Sequence, residues 1–219
     1  TAWYEELAAP GQPDHIRAAA LSGLIQRQGK NTQDRVVAAL GDEDLELVHV
    51  AAGFIRDQKV ITGTGATKAF AGMIAKAAPA NRIMLIDALA DRGDSAAGPA
   101  IREQSSSEDE GVRVATIKAL GRVGDARCAE MLVETAVKDS AELKRAARTS
   151  LSTLPGRDVN PELIRLAKRG KDEMRAEAVR ALTERRAVDM KAELFKLIKN
   201  ADIRAEVFRA LQVVCDESD

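Results

Sequence analysis

Chemistry in this chain would have to come from few residue types in sparse positions. Its two histidines, His15 and His49, are isolated, with no metal-ligand spacing around either. Cys128 and Cys215 form no CxxC and are too few for a disulfide framework. No Ser-His-acid or Cys-His set can be drawn without inventing proximity. Gly63-x-Gly65, in the stretch RDQKVITGTGATK at 56–68, lacks a third glycine, a preceding strand and the GK[ST] of a phosphate loop. It reads instead as a flexible loop capped by Thr64 or Thr67 ahead of a helix. Asp87, Asp91 and Glu184 could line a groove, yet carboxylates in such numbers are ordinary helix solvation. No catalytic, cofactor-binding or metal-binding residue is assigned, and the residues point away from an enzyme.

The elements that must position these side chains are helical. The chain has 219 residues, 45% hydrophobic and 31% charged, which suits one globular domain or one repeat array rather than a disordered chain. Only 3% are aromatic, so closely approaching Ala and Leu must fill the core in place of rings. With 33 basic and 34 acidic residues the net charge is −1, and bulk charge singles out neither nucleic acid nor membrane as partner. No apolar run reaches membrane-spanning length. Because the chain starts at Thr1 rather than Met, the expectation is a processed or excised piece of a longer protein, with adjacent domains.

Internal repetition organises the sequence. The strings IRAAALSGL at 16–24, LVHVAAGFI at 47–55, NRIMLIDAL at 81–89, VRVATIKAL at 112–120, LKRAARTSL at 143–151, MRAEAVRAL at 174–182 and IRAEVFRAL at 203–211 align without gaps. Their second positions are Arg17, Val48, Arg82, Arg113, Lys144, Arg175 and Arg204, at spacings of 31, 34, 31, 31, 31 and 29. The ninth position is aliphatic every time, and positions one, five and nine share one helical face. Shorter apolar patterns between these signature helices predict partner helices near 32–40, 66–77, 96–104, 126–138, 160–169 and 188–200. Asp14, Asp42, Ser107, Asp139 and Asp172 stand where caps of the signature helices are expected. A helix pair cannot bury both its apolar faces alone, so neighbours must stack.

VRVATIKALGRVGDARCAEMLVETAVKD at 112–139 resembles the HEAT repeat, in the short variety named after the phycobilisome lyases. The likeness is strongest over 108–211 and weakest at 56–79. It implies an all-α, right-handed α-α superhelix of about seven helix pairs, one solenoid over 1–219. Signature helices would line a concave groove. LSTLPGRDV at 151–159 is similar to HEAT segments of large exported bacterial proteins, which leans the compartment towards exported or periplasmic. Such proteins often carry c-type cytochrome domains, but no CxxCH occurs here and no haem is carried over. By the same resemblance Arg17, Arg82, Arg113, Lys144, Arg175 and Arg204 form a structural ladder with the inter-helix loops.

The function expected is a non-catalytic interaction scaffold that holds a protein or peptide, acidic in character, in the groove. Third, seventh and eleventh positions should face that groove, which gives His49, Asp87, Lys118, Arg122, Arg145, Arg180, Glu184 and Arg209 as partner-binding residues. Arg148 stands apart, because its sixth position is Leu21, Ala52, Ile86, Ile117, Val179 or Phe208 elsewhere. Its stem either packs with the guanidinium reaching solvent near Pro155, or it serves a function at a distorted repeat. The alternative function is a tetrapyrrole (bilin) lyase or chaperone. A weaker one is nucleic-acid binding, which needs aromatic stacking surfaces, whereas the one Trp and one Tyr are Trp3 and Tyr4. Trp3 and Leu7 are expected to cap the first pair, and Val207, Phe208, Leu211 and Val214 of the closing VVCDESD region to be incompletely covered.

Overall fold

The computed structural model describes residues 2–215, the side chain of Asp172 excepted; Asp216–Asp219 of the terminal VVCDESD and the cap expected of Asp172 lie outside the described residues. The described residues contain no strand. Helices alternate as partner and signature: α1 (Ala2–Leu7) with α2 (Asp14–Gln26), α3 (Thr32–Leu40) with α4 (Leu45–Arg56), α5 (Thr64–Ala71) with α6 (Pro79–Arg92), and α7 (Gly98–Arg102) with α8 (Glu110–Val123). The series continues with α9 (Ala129–Lys138) and α10 (Ala141–Thr153), α11 (Val159–Arg169) and α12 (Asp172–Glu184), and α13 (Lys191–Leu197) and α14 (Arg204–Val214). These are the seven expected pairs, and short 3-10 turns extend α5, α7, α9 and α13 over most of the expected partner ranges.

The chain groups into two compact units, Thr1–Thr116 and Ile117–Asp219. Within each, a signature helix packs on its own partner and on the next signature helix, as α4 does on α3 and α6, and α12 on α11 and α14. The sequence pattern dictates this packing. Ninth-position Ile55, Leu89, Leu120 and Leu182 are fully buried, each adding about 1.5–3 kcal/mol of apolar transfer. Fifth-position Ala51, Ala147 and Ala178 are buried too, and a methyl group there lets helix axes approach. Gly121 shows how close the approach is: a Cβ on it would lie 2.8 Å from the Cα of Ser150.

Several local expectations are corrected. Asp44, rather than Asp42, caps α4 by accepting from the Glu46 N–H, and Asp109, rather than Ser107, accepts from Val112 at the start of α8. Ser140 replaces Asp139 at α10, while Asp14 is already inside α2. Asp44 and Ser140 cap from the last extended residue before the helix, a backbone property that composition alone does not mark. Trp3 is 79% exposed and Leu7 half-exposed, so neither caps the first pair; Tyr4 packs against Gly23 instead, its ring 5.5 Å from the Arg27 guanidinium carbon. At the other end Val207, Leu211 and Val214 are buried by α12 and α13, and only Phe208 of that group is exposed.

Candidate functional site

The ladder positions lie at helix starts, where a long basic side chain can reach carbonyls left over at the preceding helix end. Arg113 donates to the carbonyls of Ser107 and Glu108, Arg204 to Ile198, and Arg175 to Ala167 with Asp202 3.6 Å away. Arg82 donates to the Ala77 carbonyl and the Gln104 amide oxygen. Arg17 instead spans both loop acids, Asp44 at 3.0 Å and Asp42 at 3.2 Å. Lys144 is half-buried beside Arg148 and Glu173.

A second arginine position escaped the sequence reading. Arg92 and Arg185 each lie ten residues after the ladder position of their repeat. Both reach back into the preceding repeat. Arg185 donates to the carbonyls of Leu151 and Leu154 and to Asn160 Oδ1. Arg92, buried, donates to the Ile55 and Ile61 carbonyls and to Thr67 Oγ1. Burial pulls both guanidiniums below the usual arginine value, opposed by Asp94 at Arg92 and by Asp189 at Arg185. Burial also penalises the Asp94 carboxylate, but the Ala96 N–H, Thr67 and the charges of Arg92 and Lys68 hold it below the usual range. The segment 56–68 is therefore pinned rather than loose: Ile61 and Thr67 are buried, and Gly63, at φ 87°, makes the turn into α5.

The expected partner-binding residues divide between the units. In the first, His49 is exposed with Nδ1 2.7 Å from the Leu45 carbonyl oxygen, in a shallow depression with Ser22, Phe54 and Asp57. Asp87 is exposed, and Asp91 pairs with Arg56 at 2.7 Å. In the second unit Lys118, Arg122, Arg145, Arg180, Glu184 and Arg209 are all exposed. Lys118 stands 3.8 Å from Glu142, Arg209 is 3.5 Å from Glu206, and Arg145 has no ionic partner among the described residues.

Between α10 and α12 the exposed surface turns inward. Glu177, only 4% exposed, accepts from Arg148 Nε at 2.8 Å and Nη2 at 3.0 Å, and from Arg180 Nη1. The two-point fork gives the guanidinium a fixed plane. Its bond to Glu177 raises Arg148 above the usual arginine value, against a burial penalty. Arg148, Arg180, Glu177, Glu184 and Thr149 line a depression of about 220 Å³. Thr149 also borders a neighbouring depression lined by Lys118, Glu142 and Arg145, so Lys118 of α8, Arg145 and Arg148 of α10 and Arg180 of α12 border two adjoining depressions. Arg148 thus reaches solvent with nearly half of its side chain while its guanidinium is held by Glu177. Glu177 was missed, although it and Arg148 break the apolar pattern of the fourth and sixth positions 29 residues apart.

No three His, Cys, Asp or Glu residues gather in a metal-holding geometry among the described residues, and no helix among them is long and apolar enough to cross a membrane. Residues 67–152 match the family described as HEAT repeats. This segment belongs to the HEAT repeats. Helix pairs of the same signature flank it, and the fold class is the all-α helical repeat. Among solved structures, an engineered protein shares that fold at 18% identity and a TM-score of 0.54, covering 96% of this chain and 68% of its own. Human deoxyhypusine hydroxylase, in complex with glycerol, is similar at 18% identity, TM-score 0.48, over 99% of this chain and 85% of that one. The phycocyanin lyase complex from Nostoc follows at 18% identity, TM-score 0.37, over 68% and 99%. These likenesses transfer no activity to this chain. No curated protein matches the chain in sequence.

Proposed function

We propose that this chain is a protein-interaction scaffold whose second unit holds an acidic peptide or an acidic segment of a protein. A repeat array that stacks helix pairs offers an extended side-chain surface without needing a closed pocket. The observation that carries the reading is the basic series on successive signature helices: Lys118 and Arg122 on α8, Arg145 and Arg148 on α10, Arg180 on α12 and Arg209 on α14. All are exposed, in a chain whose net charge is only −1. Such clustering raises the local potential, steers an anionic partner and weakens as salt screens it over a Debye length of about 8–10 Å near physiological ionic strength.

The test uses fluorescence anisotropy with labelled decaglutamate at low salt. Reversing Lys118, Arg122 and Arg145 together to Glu should weaken capture at least about tenfold with the melting temperature unchanged, and capture by the parent chain should fall as salt rises. Equal capture by the reversed variant, or no capture of decaglutamate by the parent chain, overturns the reading.

A further inference from the structure

The Arg148–Glu177 contact occupies a place where the fold ordinarily uses apolar groups. At the sixth position Leu21, Ala52, Ile86, Ile117 and Val179 are buried. The fourth position is Ala19, Val50, Met84, Ala115 or Ala146 in the first five repeats, Glu177 in the sixth and Glu206 in the seventh. Packing of the array therefore does not require an ion pair here. Burying the Glu177 carboxylate costs desolvation that an apolar group of similar volume would not incur, so such a replacement is often neutral or stabilising. Stacking alone therefore does not account for the choice of a charged pair at these two positions.

Its geometry offers that explanation. Glu177 is buried, yet both arginines on it remain nearly half exposed, Arg148 at 47% and Arg180 at 43% of the side chain. Arg148 spends Nε and Nη2 on Glu177 and Arg180 spends Nη1, which leaves Arg148 Nη1 and Arg180 Nη2 without a partner among the described residues. Two guanidiniums held on one buried carboxylate present donors already oriented, so a ligand need not immobilise them. The depression, about 220 Å³, has room for a side chain, and Leu151 and Ala181 supply apolar lining. Glu184 shares it and disfavours a doubly charged occupant such as phosphate.

We propose that Arg148 and Arg180, set by the buried Glu177, seat a single carboxylate side chain of the acidic segment bound by the second unit. This rests on the scaffold reading above and names its anchor. The carboxylate accepts from both guanidiniums while Glu177 holds them from behind.

The test is charge-neutral. Arg148→Leu with Glu177→Ala, in the full chain, gives these positions the residue types of the other repeats and removes one charge of each sign. General electrostatic attraction predicts unchanged decaglutamate binding. The anchor predicts a loss of at least about tenfold, as for a well-packed central contact, with a melting temperature equal to or above that of the parent. Should the double variant fail to fold, Arg180→Gln is compared with Arg157→Gln, an equal charge loss at an exposed loop residue. The anchor predicts that the first weakens binding at least about fivefold more than the second. Equal binding by the double variant overturns the anchor and leaves the scaffold reading standing, provided the Lys118, Arg122 and Arg145 reversal still abolishes capture. Failure of the parent chain to bind decaglutamate overturns both. Tighter binding of a phosphoserine peptide than of its glutamate counterpart overturns the assignment to carboxylate.

Discussion

Replacing Arg92 by Met probes how the first unit holds its longest insertion. The methionine stem fills most of the arginine's volume but donates nothing. Arg92 is 3% exposed, and the change strips its partners from the Ile55 carbonyl at 2.9 Å and the Ile61 carbonyl at 2.8 Å. A buried acceptor left without a donor costs about 1–3 kcal/mol. Thr67 keeps Asp94 as acceptor at 2.7 Å, so its hydroxyl is not orphaned. Part of the cost returns because a guanidinium no longer has to be desolvated. The net loss expected is about 2–4 kcal/mol, a fall in melting temperature of about 5–15 °C for a chain of this size. Calorimetry reads the global value. Hydrogen exchange of the 57–67 peptide reads the local one, and its amides should open on the order of a hundredfold more often. A melting shift under about 2 °C with unchanged exchange at 57–67 refutes the reasoning. A rise in stability would show that burying the charge costs more than its bonds contribute.

Gly121→Ala should destabilise by about 1–3 kcal/mol through overpacking, because the new methyl would meet the Ser150 Cα at 2.8 Å and Thr153 Oγ1 at 2.9 Å. Gly53→Ala, with nothing within 4 Å of the added Cβ in a helix interior, should stabilise by about 1 kcal/mol; melting curves that fail to move in opposite directions contradict this account of helix spacing. Hydrogen bonds from Lys168 and Lys196 hold the Glu193 carboxyl down at about 2. Since the folded value lies below the ordinary one of about 4.3, whatever this contact adds is present above that pH and lost as pH falls towards the folded value. Carboxyl NMR should place the Glu193 midpoint near 2 and Lys168→Ala should raise it; a parent midpoint near 4 rules the contact out.

How much of this was legible in sequence follows from the range of the interactions. The helix pairs were, because positions one, five and nine form a local pattern repeated every 31 residues or so, and each copy confirms the others. The exposed basic positions Lys118, Arg122, Arg145, Arg180 and Arg209 were legible for the same reason, since helical phase fixes which side chains point away from the core. Cap residues were misplaced by one or two positions because several polar residues compete at each loop and only backbone geometry chooses among them. Trp3 was misjudged because a large apolar ring can cover a terminal pair only if the chain direction brings it there, and Tyr4 took that place.

Arg148 announced itself by breaking the apolar pattern; Glu177 breaks it too, at the fourth position, but a glutamate on a helix reads as solvated, and Glu206 stands at the same position in the seventh repeat. What joins them is the lateral contact of α10 with α12, 29 residues along the chain. Arg92 and Arg185 were silent for the same reason, because an arginine in a last helical turn reads as solvated until the preceding repeat presents its carbonyls. The sequence by itself determined the helices, their pairing and the face each one buries, all of which depend on contacts within a few turns. Only the tertiary structure decided which charges are buried and which polar groups meet, because those depend on where one repeat lies against the next.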